Sequence, residues 1–228
     1  MRLPFTRYGM PQVLFYPLLV LVLLLVLFIV FWPAYFLIPA GIVLLLVFIW
    51  MLSFFRDPAR NIIIDESILL SPADGTITDI DEVNDSALGE KALRIGIFLS
   101  VFNVHINRFP CSVRVLKVNY KKGKFINAMS PDASRINESN DILMVRLNEP
   151  KEMLLVRQIT GAIARHIVCE AKEEGEYRQG EAFGMIKFGS RTELYIPAVM
   201  PFEVAVKIGD KVRAGLTPLV RSIEVKQQ

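Results

Sequence analysis

Cysteine is nearly absent from this sequence: Cys111 and Cys169 are the two among 228 residues. Two thiols make neither a disulfide framework nor a cysteine metal cluster, and they fit a reducing compartment. Histidine is as scarce, so any imidazole chemistry must come from His105 or His166. No Gly-rich phosphate loop, nucleotide fingerprint, internal repeat or sustained heptad pattern occurs, which argues against nucleotide-dependent chemistry and coiled-coil assembly. Acidic residues are missing from the first 55 positions, where Arg2 and Arg7 are the only charges. The other 24 basic side chains therefore face all 23 acidic ones in residues 56–228. That part is nearly neutral, and no nucleic-acid partner is expected.

Long hydrophobic runs, by contrast, are abundant at the start. Residues 13–32 form an uncharged run of 20 and residues 34–55 a second of 22, separated by Pro33. A 20-residue helix measures about 30 Å, the thickness of a bilayer core. Trp32 and Tyr35 stand where interfacial aromatics belong. The pattern predicts a hydrophobic helical hairpin over residues 1–55. A cleaved signal peptide is a poor alternative, because a second full-length run follows with no small-residue cleavage site between them. Arg2 and Arg7 before the hairpin and Arg56 and Arg60 after it put both ends on the cytoplasmic side of the cell membrane. A hairpin that dips into one leaflet is the alternative to one that crosses.

Residues 56–228 are large enough for one domain with a real core. Short apolar runs punctuated by turns predict a mostly β (α+β) soluble domain with an antiparallel sheet core. Strands are expected at 68–70, 92–102, 112–120, 141–147, 153–159, 202–206 and 217–225. Residues 160–170 (TGAIARHIVCE) read as a short helix or another strand, leaning towards the helix, with His166 in packing or a local hydrogen bond, and residues 125–140 read as an irregular flap. Asp74 sits at the tip of the Pro-Ala-Asp-Gly turn within Ser71 to Ile77, where making the turn explains it locally. His105 and Arg108 follow the apolar strand 92–102, a position that holds polar groups rigidly beside a pocket.

The chain's central stretch is residues 180–197, GEAFGMIKFGSRTELYIP. Two apolar strands, 183–188 and 192–196, meet at Gly189-Ser190, and a hairpin turn is the plain reading. Glycine adopts backbone angles closed to other residues, and Ser190 sets a hydroxyl beside the Gly189 carbonyl. With a base nearby, that hydroxyl can attack the carbonyl and convert the peptide bond to an ester.

Taken jointly, SPADGTI with Asp74, FLSVFNVHINRFP with His105 and FGMIKFGSRTELYIP with Ser190 closely resemble the phosphatidylserine decarboxylase family, in its short bacterial and archaeal-type branch. The resemblance implies a proenzyme that cuts itself between Gly189 and Ser190. A β chain of residues 1–189 and an α chain of residues 190–228 would stay together as a heterodimer. Ser190 would become a covalent pyruvoyl cofactor that forms a Schiff base with phosphatidylserine in the membrane and releases CO2. Asp74 and His105 are implied as partners of Ser190, a carboxylate orienting an imidazole that takes the hydroxyl proton. Longer family members carry a second histidine three positions on; here that position is Arg108, which could instead hold the substrate phosphate or carboxylate. With no metal-ligand cluster in the sequence, no metal is expected, and a homo-oligomer is left open. Two other readings compete. One is decarboxylation of a related serine-headgroup lipid, such as an archaeal ether lipid. The other is a membrane-tethered hammerhead-type module, which would need an exposed lysine at a hairpin tip; Lys187 lies inside an expected strand.

Overall fold

The structure, a computed structural model, describes residues 5–31, 37–89, 91–162, 166–187, 189–199 and 201–223. The chain divides into two compact units, Met1–Ala59 and Arg60–Gln228.

In the first unit, α1 (Met10–Phe31) and α2 (Leu37–Phe54) contain no charged residue and contact each other. Apolar side chains surround both helices, and Phe15, Leu21 and Ile29 on α1 and Ile38, Val43 and Leu46 on α2 are exposed. A helix apolar on every side has no face for water. The backbone of α1 holds 22 residues and that of α2 18. Over the described residues, no helix is long and apolar enough to cross a membrane. The expected turn around Pro33 falls outside the described residues. The base of the hairpin is closed by the chain before it: Thr6 N donates to Phe55 O at 2.8 Å, and Gly9 lies against the Phe55 ring where a side chain would collide.

The second unit carries β1 (Ile68–Leu70), β2 (Gly75–Asn84), β3 (Lys91–Leu99), β4 (Ile106–Arg108), β5 (Val113–Lys121), β6 (Ser139–Arg146) and β7 (Met153–Ile159). It continues with β8 (His166–Cys169), β9 (Glu176–Tyr177), β10 (Ala182–Lys187), β11 (Ser190–Pro197), β12 (Phe202–Val204), β13 (Lys211–Val212) and β14 (Pro218–Ser222). One short helix, α3 (Ala133–Ile136), precedes β6. The sheets run β13-β2-β3-β11-β7-β6-β5-β9, β1-β14-β12 and β4-β10-β8. All these pairings are antiparallel, as the alternating apolar patterns predict.

β11 is buried on both faces, and its alternation sorts two environments. Leu194 and Ile196 point into the apolar core with Ile95, Ile97, Val156 and Phe183. Arg191, Glu193 and Tyr195 point to the other face and build a polar layer. There Arg191 donates to Glu193 at 2.7 Å and to Asp79 at 2.7 Å, while Tyr195 donates to Glu193 at 2.6 Å. Burial works to raise the Asp79 carboxyl, but hydrogen bonds from Arg191 and Thr78 and nearby positive charge outweigh it and hold it below the usual range. Gly96 on β3 leaves the space this layer occupies, since a side chain there would meet Arg191 and Asp79.

Three expectations change. Residues 166–169 form strand β8, paired with β10, and not a helix. In so short a run the helical and strand periods cannot be told apart, and Ile167 and Val168 favour the strand. The 125–140 segment is not an irregular flap throughout: it contains α3, and the buried Asn137 side chain pins it by donating to Ile126 O at 2.9 Å and Thr160 O at 2.7 Å. Finally, the strands flanking Gly189-Ser190 do not form a hairpin. β10 pairs with β4 and β8, β11 with β3 and β7, and the chain changes sheet at Gly189.

Candidate active site

That change of sheet sets the site. Gly189 has φ +65°, a left-handed conformation that suits glycine, and Ser190 begins β11 opposite Leu99, the last residue of β3. Immediately after Leu99 the chain turns back through Ser100 to Asn103. The Asn103 side-chain oxygen accepts from Ser100 N and Ser100 Oγ, both at 2.8 Å, and Asn103 N donates to Ser100 O at 2.9 Å. This turn delivers His105 over Ser190.

Ser190 Oγ and His105 Nδ1 are 3.2 Å apart, and both residues are fully buried. His105 Nε2 lies 3.0 Å from Ser100 O. A carbonyl can only accept, so Nε2 carries the proton and donates, leaving Nδ1 bare to accept from the serine hydroxyl. In its neutral form the imidazole is thus held in the tautomer that a base requires. A second contact fixes the register. Two residues on, Asn107 Nδ2 donates to Thr192 Oγ1 at 3.0 Å, so His105/Asn107 and Ser190/Thr192 meet as matched pairs. Asn107 is held in turn by Gln158 at 2.9 Å, and Gln158 by Asn140 at 3.1 Å. A one-residue slip would break the whole ladder.

Asp74 is held by Arg60 and the backbone at Ala214. Its carboxylate takes a two-pronged ion pair from Arg60, at 2.7 and 2.8 Å, and accepts from Ala214 N at 2.7 Å; Arg60 also donates to Ala214 O. The group on His105 Nε2 is the Ser100 carbonyl rather than this carboxylate. Asp74 is therefore brought together with Arg60 and the 213–217 turn. Arg60 and Ser100 are the residues that sequence reasoning missed. The only signal for the second was Ser-x-x-Asn directly after a strand. Arg108 is buried on β4, donates from Nη1 to Gly180 O at 3.1 Å, and packs beside Gly215. Lys187 ends β10 and is 8% exposed, and burial lowers its amine below the ordinary lysine range. That is the opposite of the exposed lysine a carrier module needs.

The Arg60–Asp74 clamp makes a testable distinction. Its side chains are 5% and 11% exposed, so Asp74→Asn or Arg60→Leu should cost roughly 3–5 kcal/mol by stranding the partner. If the carboxylate acts through the clamp, both variants slow any cleavage at Ser190 alike, as gel time courses would read. A defect in Asp74→Asn that Arg60→Leu does not share would return Asp74 to the imidazole.

Chemically, the arrangement is an activated hydroxyl beside the peptide carbonyl before it. The surroundings also fit a small group made from Ser190. The residue is closed from water, and the Gly189 carbonyl occupies the space that a side chain on Gly161 would take.

Comparison with known proteins gives a consistent result. The family model for phosphatidylserine decarboxylase matches residues 47–219. A phosphatidylserine decarboxylase proenzyme of Rhodopirellula baltica is 42% identical over 219 residues, covering 96% of this chain and 88% of that protein. Proenzymes of the same name from Carboxydothermus hydrogenoformans and Pelagibacter ubique are 44% and 43% identical, each over 79% of this chain and 84% of theirs.

Proposed function

This chain belongs to the phosphatidylserine decarboxylase family, and from that premise we propose that it matures by cutting itself between Gly189 and Ser190. As a decarboxylase of this family it takes CO2 from the serine headgroup of phosphatidylserine, leaving phosphatidylethanolamine. The observation that carries the self-cleavage reading is the buried pair of Ser190 Oγ and His105 Nδ1 beside a left-handed Gly189.

Maturation would begin as His105 Nδ1 takes the hydroxyl proton and Oγ bonds to the Gly189 carbonyl carbon. Collapse of that adduct breaks the bond to Ser190 nitrogen, which receives the proton from His105, and an ester remains. Loss of the Ser190 α-proton with departure of the Gly189 carboxylate then separates the chains. Tautomerisation and hydrolysis by one water release ammonia and leave the pyruvoyl group on residue 190. When formed, that ketone supplies an electron sink for the pair freed as CO2 leaves. His105, beside Ser190, would return the proton that the product needs.

The strand order supports two chains that stay together. β11 lies between β3 and β7, β14 beside β1 and β13 beside β2, so residues 190–228 are held by strands on the other side of the cut. The change of sheet at Gly189 means that a break there unzips neither sheet. The apolar hairpin of α1 and α2 supports attachment to the membrane that holds the lipid, and its flanking arginines support a cytoplasmic catalytic unit.

The direct test supplies the purified protein with vesicles of phosphatidylserine labelled in the serine carboxyl. Release of labelled CO2 with matching phosphatidylethanolamine is expected. Intact lipid in the presence of fully cut protein would overturn the substrate assignment.

A further inference from the structure

We propose that Gly161 is a positioning residue for chain cleavage, the stop against which the scissile carbonyl is held. The proposal rests on the self-cleavage reading above and adds a residue to it. The argument starts from register. β7 and β11 are antiparallel with Ile159 opposite Arg191, and Gln158 opposite Thr192. Carried two residues beyond the last pair, the same register sets Gly161 opposite Gly189. Glycine faces glycine across the bond to be cut.

The space between them is filled by the carbonyl itself. A Cβ built on Gly161 would fall well inside 3.0 Å of Gly189 O and at 3.2 Å from Gly189 C. Both atoms of the carbonyl therefore sit in the notch that the missing side chain leaves. The notch is stiff. Thr160 N and Oγ1 both donate to Glu138 O, at 3.0 and 3.1 Å, and Thr160 O accepts from Asn137 at 2.7 Å. The Ala128 Cβ would lie 3.2 Å from the same Cβ position, which closes one side. On the far side of Gly189, Val101 Cγ1 lies 3.8 Å from the position a Cβ would take. The scissile peptide is thus held between the end of β7 and the turn that carries His105.

This placement serves the first covalent step. As Ser190 Oγ bonds to the carbonyl carbon, the C=O electron pair moves onto Gly189 O while the hydroxyl proton passes to His105 Nδ1. Attack needs the carbonyl carbon in line with Oγ, and a misplacement of about 1 Å costs on the order of 10²-fold in rate. A methyl group at position 161 pushes the carbonyl from the notch and leaves Ser190 and His105 untouched.

The test compares the parent chain with Gly161→Ala, alone and combined with Ser190→Ala. The expected result is that Gly161→Ala cuts itself about 10²-fold more slowly, as read by gel and intact mass. Hydroxylamine, which cleaves esters, should release no extra small chain from it, because the block precedes the ester. Because the methyl group displaces a backbone carbonyl, Gly161→Ala/Ser190→Ala should melt somewhat below Ser190→Ala while keeping its native circular dichroism spectrum at the temperature of the cleavage assay. Parental cleavage in Gly161→Ala, accumulation of a hydroxylamine-sensitive ester, or loss of the native spectrum by the double variant at the assay temperature would each overturn the proposal, the last by showing a structural role. A parent chain that stays uncut would instead sink the self-cleavage reading itself, so the two failures are distinguishable.

Discussion

Replacing Ser190 with alanine should leave one uncut chain of 228 residues and take decarboxylation to background. The size of the effect follows from chemistry: the hydroxyl oxygen is the attacking atom, and Ser190 is also the residue that would carry the electron sink. No other side chain can take over both duties. The fold should survive, because the Ser190 hydroxyl meets His105 alone by hydrogen bond among the described residues, while β11 is held by backbone pairing to β3 and β7 and by the Arg191 layer. Circular dichroism and melting would check that the uncut variant is folded. Retained decarboxylation in a folded Ser190→Ala protein would remove the pyruvoyl mechanism.

His105→Gln should be the next most damaging change. Glutamine can still donate to Ser100 O, but it cannot take a proton from Ser190. Loss of a general base is expected to slow cleavage about 10²–10⁴-fold, followed as the fraction of cut chain over time. The His105/Ser190 and Asn107/Thr192 pairs separate position from base chemistry. Asn107 keeps β4 in register in the His105 variant, so the serine should stay in place. Normal cleavage in His105→Gln would assign the base elsewhere and leave Arg108, where longer relatives carry a second histidine, to be explained afresh.

What could be read from the sequence depended on how far apart the partners lie along the chain. Ser190 and His105 were legible because each follows a strongly apolar strand, where chemistry-bearing residues become rigid. Asp74 was legible as a residue but not as a contact. Its carboxylate meets Arg60 and Ala214, and Ala214 is 140 positions away, a pairing that no local pattern encodes. The hairpin expected at Gly189-Ser190 failed for the same reason. Two apolar strands about a Gly-Ser step look alike whether they pair or part, and β10 takes its partners from β4 and β8. Gly161 gave no signal at all, since a glycine in a turn-rich stretch shows its purpose only when its neighbour across the sheet is known.

The central claim is that the Gly189-Ser190 bond becomes a chain end bearing a ketone, and intact-mass measurement of the untagged protein tests it most directly. The account predicts two chains, residues 1–189 and residues 190–228, with the smaller lighter by one ammonia than a peptide beginning in serine. A single chain of full mass from protein that decarboxylates phosphatidylserine, or a small chain beginning in unmodified serine, would contradict it.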